Sequence, residues 1–223
     1  VSGSGVWTLV VKQGETAVGT IDFGTKDFTS KAYNVRRNYG NAAFGKYIDL
    51  SQINTPNYFV KDGDVLSGEY LSDGALNIED NAKVTLAGVT RHITDERLGL
   101  ICEGSADIIL AEGKTNYFTA GSSATIDGIL MWTKDNEKTY LTISGSGTLL
   151  VSGGAGCCGI GGLSGNQNII INGGDIEATG GAGAAGIGGG FNTGLGEITI
   201  NGGTVDATGG TGAAGIGSGT FIS

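Results

Sequence analysis

The chain has 223 residues, of which 44 are Gly and one is Pro, and its charged side chains sum to −9. That is about three times the ordinary glycine share of ~7%, without the G-X-Y period of collagen, while a 39% apolar fraction argues against wholesale disorder. No run of about 18 apolar residues is present to span a membrane, and the acidic balance disfavours nucleic acid as a partner.

From the N-terminus, Val1–Gly5 carries no basic or apolar leader, so a secretory signal, if the protein has one, is expected to have been removed. Residues 1–60 contain no copy of the later repeats and alternate around Val6–Val11 and Thr20–Phe23. They read as an N-terminal cap or small β unit. From 61 onward, candidate strands are Leu76–Ile78, Val84–Leu86, Leu98–Cys102, Asp107–Leu110, Ala124–Met131 and Tyr140–Ile143. Polar loops, Thr90–Arg97 and Thr133–Lys138 among them, separate these irregular segments.

From about 141 the chain repeats itself. Thr148–Gly154, Asp175–Gly181 and Thr204–Gly210 superimpose at offsets of 27 and 29 residues, each followed by a Gly-Ile-Gly run ending at Gly161, Gly188 or Gly217. Two copies are preceded by Ile169–Gly174 and Glu197–Gly203. Each unit offers three short β-type runs parted by Gly-Gly turns, and Gly within a helix costs ~1 kcal/mol. Three strands per repeat describe one rung of a parallel β-helix, whereas a propeller blade needs about 40 residues and four strands. Stacking the rungs predicts inward columns Leu149–Ile176–Val205, Val151–Ala178–Ala207 and Ile160–Ile187–Ile216. The chain ends at Ser223 just after a complete copy, so the natural protein is expected to continue.

The run Tyr58–Gly68, the strand Val84–Thr90 and the Ile-Thr-Ile-Asn-Gly-Gly and Ala-Ala-Gly-Ile-Gly repeats resemble a group of bacterial surface proteins. These are labelled as cell-adhesion or carbohydrate-binding-domain proteins, and the resemblance covers about residues 50–223. It implies a right-handed, single-stranded parallel β-helix displayed outside the cell, and it supplies no catalytic motif. The expected fold is therefore all-β, with residues 1–60 as cap and 61–223 as solenoid.

Several motifs invite chemistry. G-x-G-x-x-G occurs at Gly154–Gly159, Gly181–Gly186 and Gly210–Gly215, but no helix start follows to hold a pyrophosphate, so these read as structural turns. Cys157 and Cys158 occupy the Ala184-Ala185 and Ala213-Ala214 positions and read as small core residues. Three cysteines make no disulfide framework, and one His completes no zinc site. Glu177 and Asp206 fall on equivalent outward positions. Three readings stand there: solvated carboxylates, a weak Ca²⁺ site, or a catalytic pair. Ser152, Thr179 and Thr208 form a short outward ladder.

Residues 141–223 hold four carboxylates and no Lys, Arg or His, which lacks the base and cation a polysaccharide lyase needs. All nine Trp and Tyr residues precede residue 141, so a stacked sugar is expected near Trp132, Tyr140 or Tyr117. Arg91–Arg97 is the one dense polar cluster, with His92 close to Asp95 and Glu96. A solvated loop is the first reading, with Arg91 and His92 contacting ligand as the second.

These residues lead to a non-enzymatic extracellular module on a rigid β-helix. It is expected to bind a glycan or cell-surface molecule at the bacterial surface, without a cofactor, nucleic acid or transmembrane segment. The rival readings are a β-helix glycoside hydrolase or polysaccharide lyase, and a structural spacer.

Overall fold

A computed structural model describes residues 4–13, 16–27, 33–38, 41–94, 97–121, 123–132, 137–162, 166–194 and 196–220, with side chains from Lys46 onward. It divides into two units, Val1–Tyr33 and Asn34–Ser223. In the first, β1 (Ser4–Gln13) and β2 (Thr16–Asp27) pair antiparallel, with register shifts between Val6 and Thr8 and between Val11 and Lys12.

The second unit opens with β3 (Tyr33–Asn38), which pairs with β4 (Asn41–Asp49). A single 3₁₀ turn (Leu50–Gln52) follows, then β5 (Tyr58–Val60), β6 (Val65–Glu69), β7 (Gly74–Ile78), β8 (Ala82–Ile93) and β9 (Arg97–Glu103). Four coils of three strands complete it. They are β10 (Ala106–Leu110), β11 (Thr115–Ala120) and β12 (Ile129–Trp132), then β13 (Thr139–Gly145), β14 (Thr148–Ser152) and β15 (Ile160–Gly162). Next come β16 (Gln167–Ile171), β17 (Asp175–Thr179) and β18 (Ile187–Gly189), and last β19 (Ile198–Ile200), β20 (Thr204–Thr208) and β21 (Ile216–Gly217).

Every strand from β4 onward pairs in parallel with its equivalent one coil away, so the chain is a parallel β-helix with three faces. The first face stacks β4, β6, β8, β10, β13, β16 and β19; the second stacks β8, β11, β14, β17 and β20; the third runs from β5 to β21. The first two faces merge because β8 is continuous across their corner. Its residues Ala82–Leu86 pair with β10, and Thr90–Ile93 pair with β11. Gly88 takes φ +94° at the bend, and the Asn116 carboxamide there accepts from the N–H groups of Gly88 and Val89 at 3.0 and 2.9 Å.

The three columns expected from the repeats are present in register, with Leu149, Ile176, Val151, Ala178, Ile160 and Ile187 buried; in the last described coil Val205 and Ala207 are partly buried and Ile216 is exposed. Alternation within each strand makes this possible, because side chains at i and i+2 share a face. Each fully buried Leu or Ile contributes about 1.5–3 kcal/mol of apolar burial. On the third face the Gly-Ile-Gly runs stack so closely that a Cβ on Gly161 would meet the Gly188 carbonyl, and one on Gly188 the Gly217 carbonyl. Close approach between coils therefore selects glycine there.

Two sequence readings are corrected. Residues 90–93 are strand, not loop, since they pair in parallel with Tyr117–Ala120 of β11. The strand read over Ala124–Met131 begins only at Ile129, because 124–128 form the turn before it. Asp95 and Glu96 of the polar cluster, and residues 133–136 of the second loop, lie outside the described residues.

Candidate functional site

Where the third face turns into the first, three successive corners stack. The lowest is Glu79–Asn81, where Asn81 adopts φ +60° and Ala82 N–H closes the turn on the Glu79 carbonyl at 3.1 Å. Asn81 N–H reaches up to the Ser105 carbonyl at 2.7 Å, and Ser105 N–H reaches down to Asp80 Oδ1 at 2.8 Å. Asp80 Oδ2 accepts from the Asn81 amide at 2.8 Å. Gly104 lies between these groups with φ +122°, and a Cβ there would strike the Asp80 carboxylate. One corner higher, Tyr140 N–H donates to Ser105 Oγ at 3.2 Å. A ladder of short polar side chains thus fixes the corner backbones over one another.

The corners enclose a cavity of about 250 Å³. Asp80, Asn81 and Glu103 line one part of it; Ser105, Glu137, Lys138 and Thr139 line the rest. Trp132 stands in register with Glu103 and is 52% exposed; Tyr140 follows Thr139 and is 40% exposed. The Lys138 ammonium lies 5.5 Å from the Tyr140 ring centroid. Three carboxyl groups, an amide, two hydroxyls and an ammonium therefore line the cavity, and Trp132 and Tyr140 adjoin its lining residues in register and sequence. Most small-molecule sites are chiefly apolar with a few placed polar groups, whereas this concavity is lined almost wholly by polar side chains, which suits a polyhydroxylated ligand. Exposed Trp and Tyr offer an apolar face with a polar tip, which suits the C–H face of a pyranose ring.

The other sequence candidates lie elsewhere. Tyr117 is centred on the second face, in the outward column Thr90, Tyr117, Leu150, Glu177 and Asp206. His92 is on the same face, with Nδ1 3.2 Å from Thr119 Oγ1 and Nε2 3.9 Å from a Glu69 carboxylate oxygen. It heads the ladder that continues through Thr119, Ser152, Thr179 and Thr208. Glu177 and Asp206 are paired in register and exposed, but Ca²⁺ takes six to eight oxygens. No group of three His, Cys, Asp or Glu suited to a metal occurs among the described residues.

Arg91 departs most from its reading as a ligand-contacting loop residue. It is an inward position of β8, in register with buried Phe118, and is wholly buried. Its guanidinium donates to the carbonyls of Leu98 (2.9 Å), Tyr70 (2.7 Å), Ser72 (2.7 Å) and Gly74 (2.5 Å), and it stacks 4.5 Å over the Tyr70 ring. Burial lowers its pKa to about 10. This side chain bolts one corner of the β6–β7 coil to the coil above, and its donors do not face solvent.

Trp132 and Tyr140, singled out from the sequence, are exposed, whereas the cavity-lining Asp80, Glu103, Ser105, Glu137 and Lys138 were not singled out. A usable signal exists: Glu79–Asn81, Glu103–Ser105 and Glu137–Lys138 each stand immediately before the first strand of a coil. Their equivalence is hidden because those coils have unequal lengths.

A family model described as a beta helix repeat matches residues 169–191 and 198–220. No curated protein and no solved structure matches the chain. The match falls on two regular coils of the solenoid and agrees with the parallel stacking of a β-helix there.

Proposed function

We propose that the protein is a non-catalytic extracellular module that binds a glycan at the corner cavity between the third and first faces. One observation carries this reading: a polar cavity of about 250 Å³ whose lining residue Glu103 stands in register with exposed Trp132 and whose lining residue Lys138 lies 5.5 Å from the exposed Tyr140 ring. A solenoid suits the role because each coil braces its neighbours while loops at one corner remain free to vary. The resemblance to bacterial adhesion and carbohydrate-binding-domain proteins supports the same reading and the surface location.

Glycan-array binding of the whole chain, together with assays for released reducing ends and unsaturated products, tests it. Trp132→Ala and Tyr140→Ala are each expected to weaken binding at least tenfold, about 1.4 kcal/mol, with melting unchanged because both rings are exposed. Tyr117→Ala, on the second face, is expected to leave binding intact. Product release would replace this reading with the enzyme reading. Binding lost through Tyr117 alone would move the site to the second face.

A further inference from the structure

We propose that Asp127 and Cys158 form a buried acid–thiol pair whose ionisation loosens the joint between the β10–β12 and β13–β15 coils, making this joint pH-sensitive. The register Ile129–Ile160–Ile187–Ile216 aligns Asp127, Cys158, Ala185 and Ala214, each two residues before its strand position. The two regular coils place alanine there. One coil instead places a carboxyl group, 3% exposed, and the next places a thiol, fully buried.

Asp127 Oδ1 accepts from Cys158 N–H at 2.7 Å and from the Cys158 thiol at 3.0 Å. The thiol can donate only while it keeps its proton. Around the pair, Cys157 is the next titratable group, half-buried in the same turn. The coil below contributes Gly99, which packs on the Asp127 and Gly128 carbonyls, and the coil above contributes Val151, Ser152 and Gly159 beside Gly128. Arg97, at the start of β9, is turned to Asp73 at 3.5 Å. None of the ion pairs among the described residues reaches Asp127. A carboxylate formed here is therefore buried without a cation, which is costly.

Burial accordingly holds the Asp127 carboxyl above its ordinary pKa of 3.8, pushes the Cys158 thiol well above 9.0, and raises Cys157 to about 11. The folded chain thus keeps the Asp127 proton to higher pH than the unfolded chain does. Stability from this position is complete below the unfolded carboxyl pKa and is lost as pH rises through the folded value. The backbone bonds beside the pair, Gly128 N–H to the Cys158 carbonyl at 3.2 Å and Ile129 N–H to the Gly159 carbonyl at 2.8 Å, are the ones expected to open.

Thermal melting of the whole chain and of Asp127→Asn from pH 4 to pH 8.5, at constant ionic strength, tests this. The wild-type Tm is expected to fall relative to the variant by about 3 °C or more as pH rises. Parallel profiles, or a relative gain for the wild type, overturn the proposal. Should Asp127→Asn not fold, Asp127→Ala, the residue at positions 185 and 214, is expected to flatten the profile equally. Hydrogen exchange localises the effect. Once corrected for intrinsic pH dependence, the amides of Gly128 and Ile129 should exchange several-fold faster at pH 8.5 than at pH 5 in the wild type and not in the variant. Equal behaviour in the two chains overturns it.

Discussion

The early coils, from β5 to β12, and the later coils, from β13 to β21, have the same three-faced stacking but different interiors. In the later coils the inward columns are aliphatic and shrink to Ala, and residues 141–223 contain no cation. Among the described residues, the buried polar side chains there are the amides Gln167 and Asn168 of β16 and the hydroxyl of Thr139. The early coils bury Arg91, Asn116 and Asp127. They vary from about 20 to 35 residues between equivalent positions, as Val65 to Thr85 and Ala106 to Leu141 show. Where coils are alike, neighbouring backbones satisfy one another and apolar side chains fill most of the space. In the unequal early coils, buried Arg91 and Asn116 bond backbone carbonyls and N–H groups that the ladders leave over. The cavity beside Asp80 and Glu103 also lies among these early, unequal coils.

The largest test of this contrast is Ile187→Asp, which puts an unpaired charge in a fully buried aliphatic column. A loss of more than about 4 kcal/mol is expected by chemical denaturation. Because solenoid coils couple mainly to their neighbours, hydrogen exchange should show β16–β21 opening while β6–β10 stays protected. A fully protected variant would mean that the column is not the core.

In the early coils, Arg91→Met keeps the bulk but strands four backbone carbonyls. A loss of at least about 3 kcal/mol is expected, with protection lost first around Tyr70–Leu98. Retention of wild-type stability would show that those carbonyls find other donors and that the bolt is dispensable.

The smallest effects separate the two neighbouring cysteines. Cys157→Ala is expected to leave melting unchanged, since Ala184 and Ala213 hold that position in later coils. Cys158→Ala removes the thiol donor to Asp127 and is expected to cost about 1 kcal/mol at neutral pH. This revises the sequence reading, in which both cysteines exchange freely for alanine. Equal melting of the two variants would return Cys158 to a simple packing role.

Asp127, outside the cavity, shows why some contacts were unreadable. Within Thr125-Ile-Asp-Gly-Ile129 the acid looks like an ordinary turn residue, and only the register Ile129–Ile160 brings it against Cys158. Arg91 misled for the related reason that a cationic cluster normally faces water. Its place in the odd-even alternation of β8 was concealed because the strand turns a corner without a Gly-Gly break. The exposure of Trp132 and Tyr140 was suggested by their place beside the polar loop at 133–138, outside the Gly-rich part of the chain. Asp80 and Glu103 were not legible, since short polar residues before a strand are common in any turn.

Sequence alone determined the stacking: equal-length repeats force equivalent residues into register, because in parallel strands one coil's backbone templates the next. It thereby determined the aliphatic columns of the later coils and the close approach that demands glycine at Gly161 and Gly188. Tertiary structure decided what the unequal coils do. Which polar side chain turns inward, which corners enclose a cavity and which acid meets a thiol depend on how chain lengths mismatch in space, and local pattern carries no record of that distance.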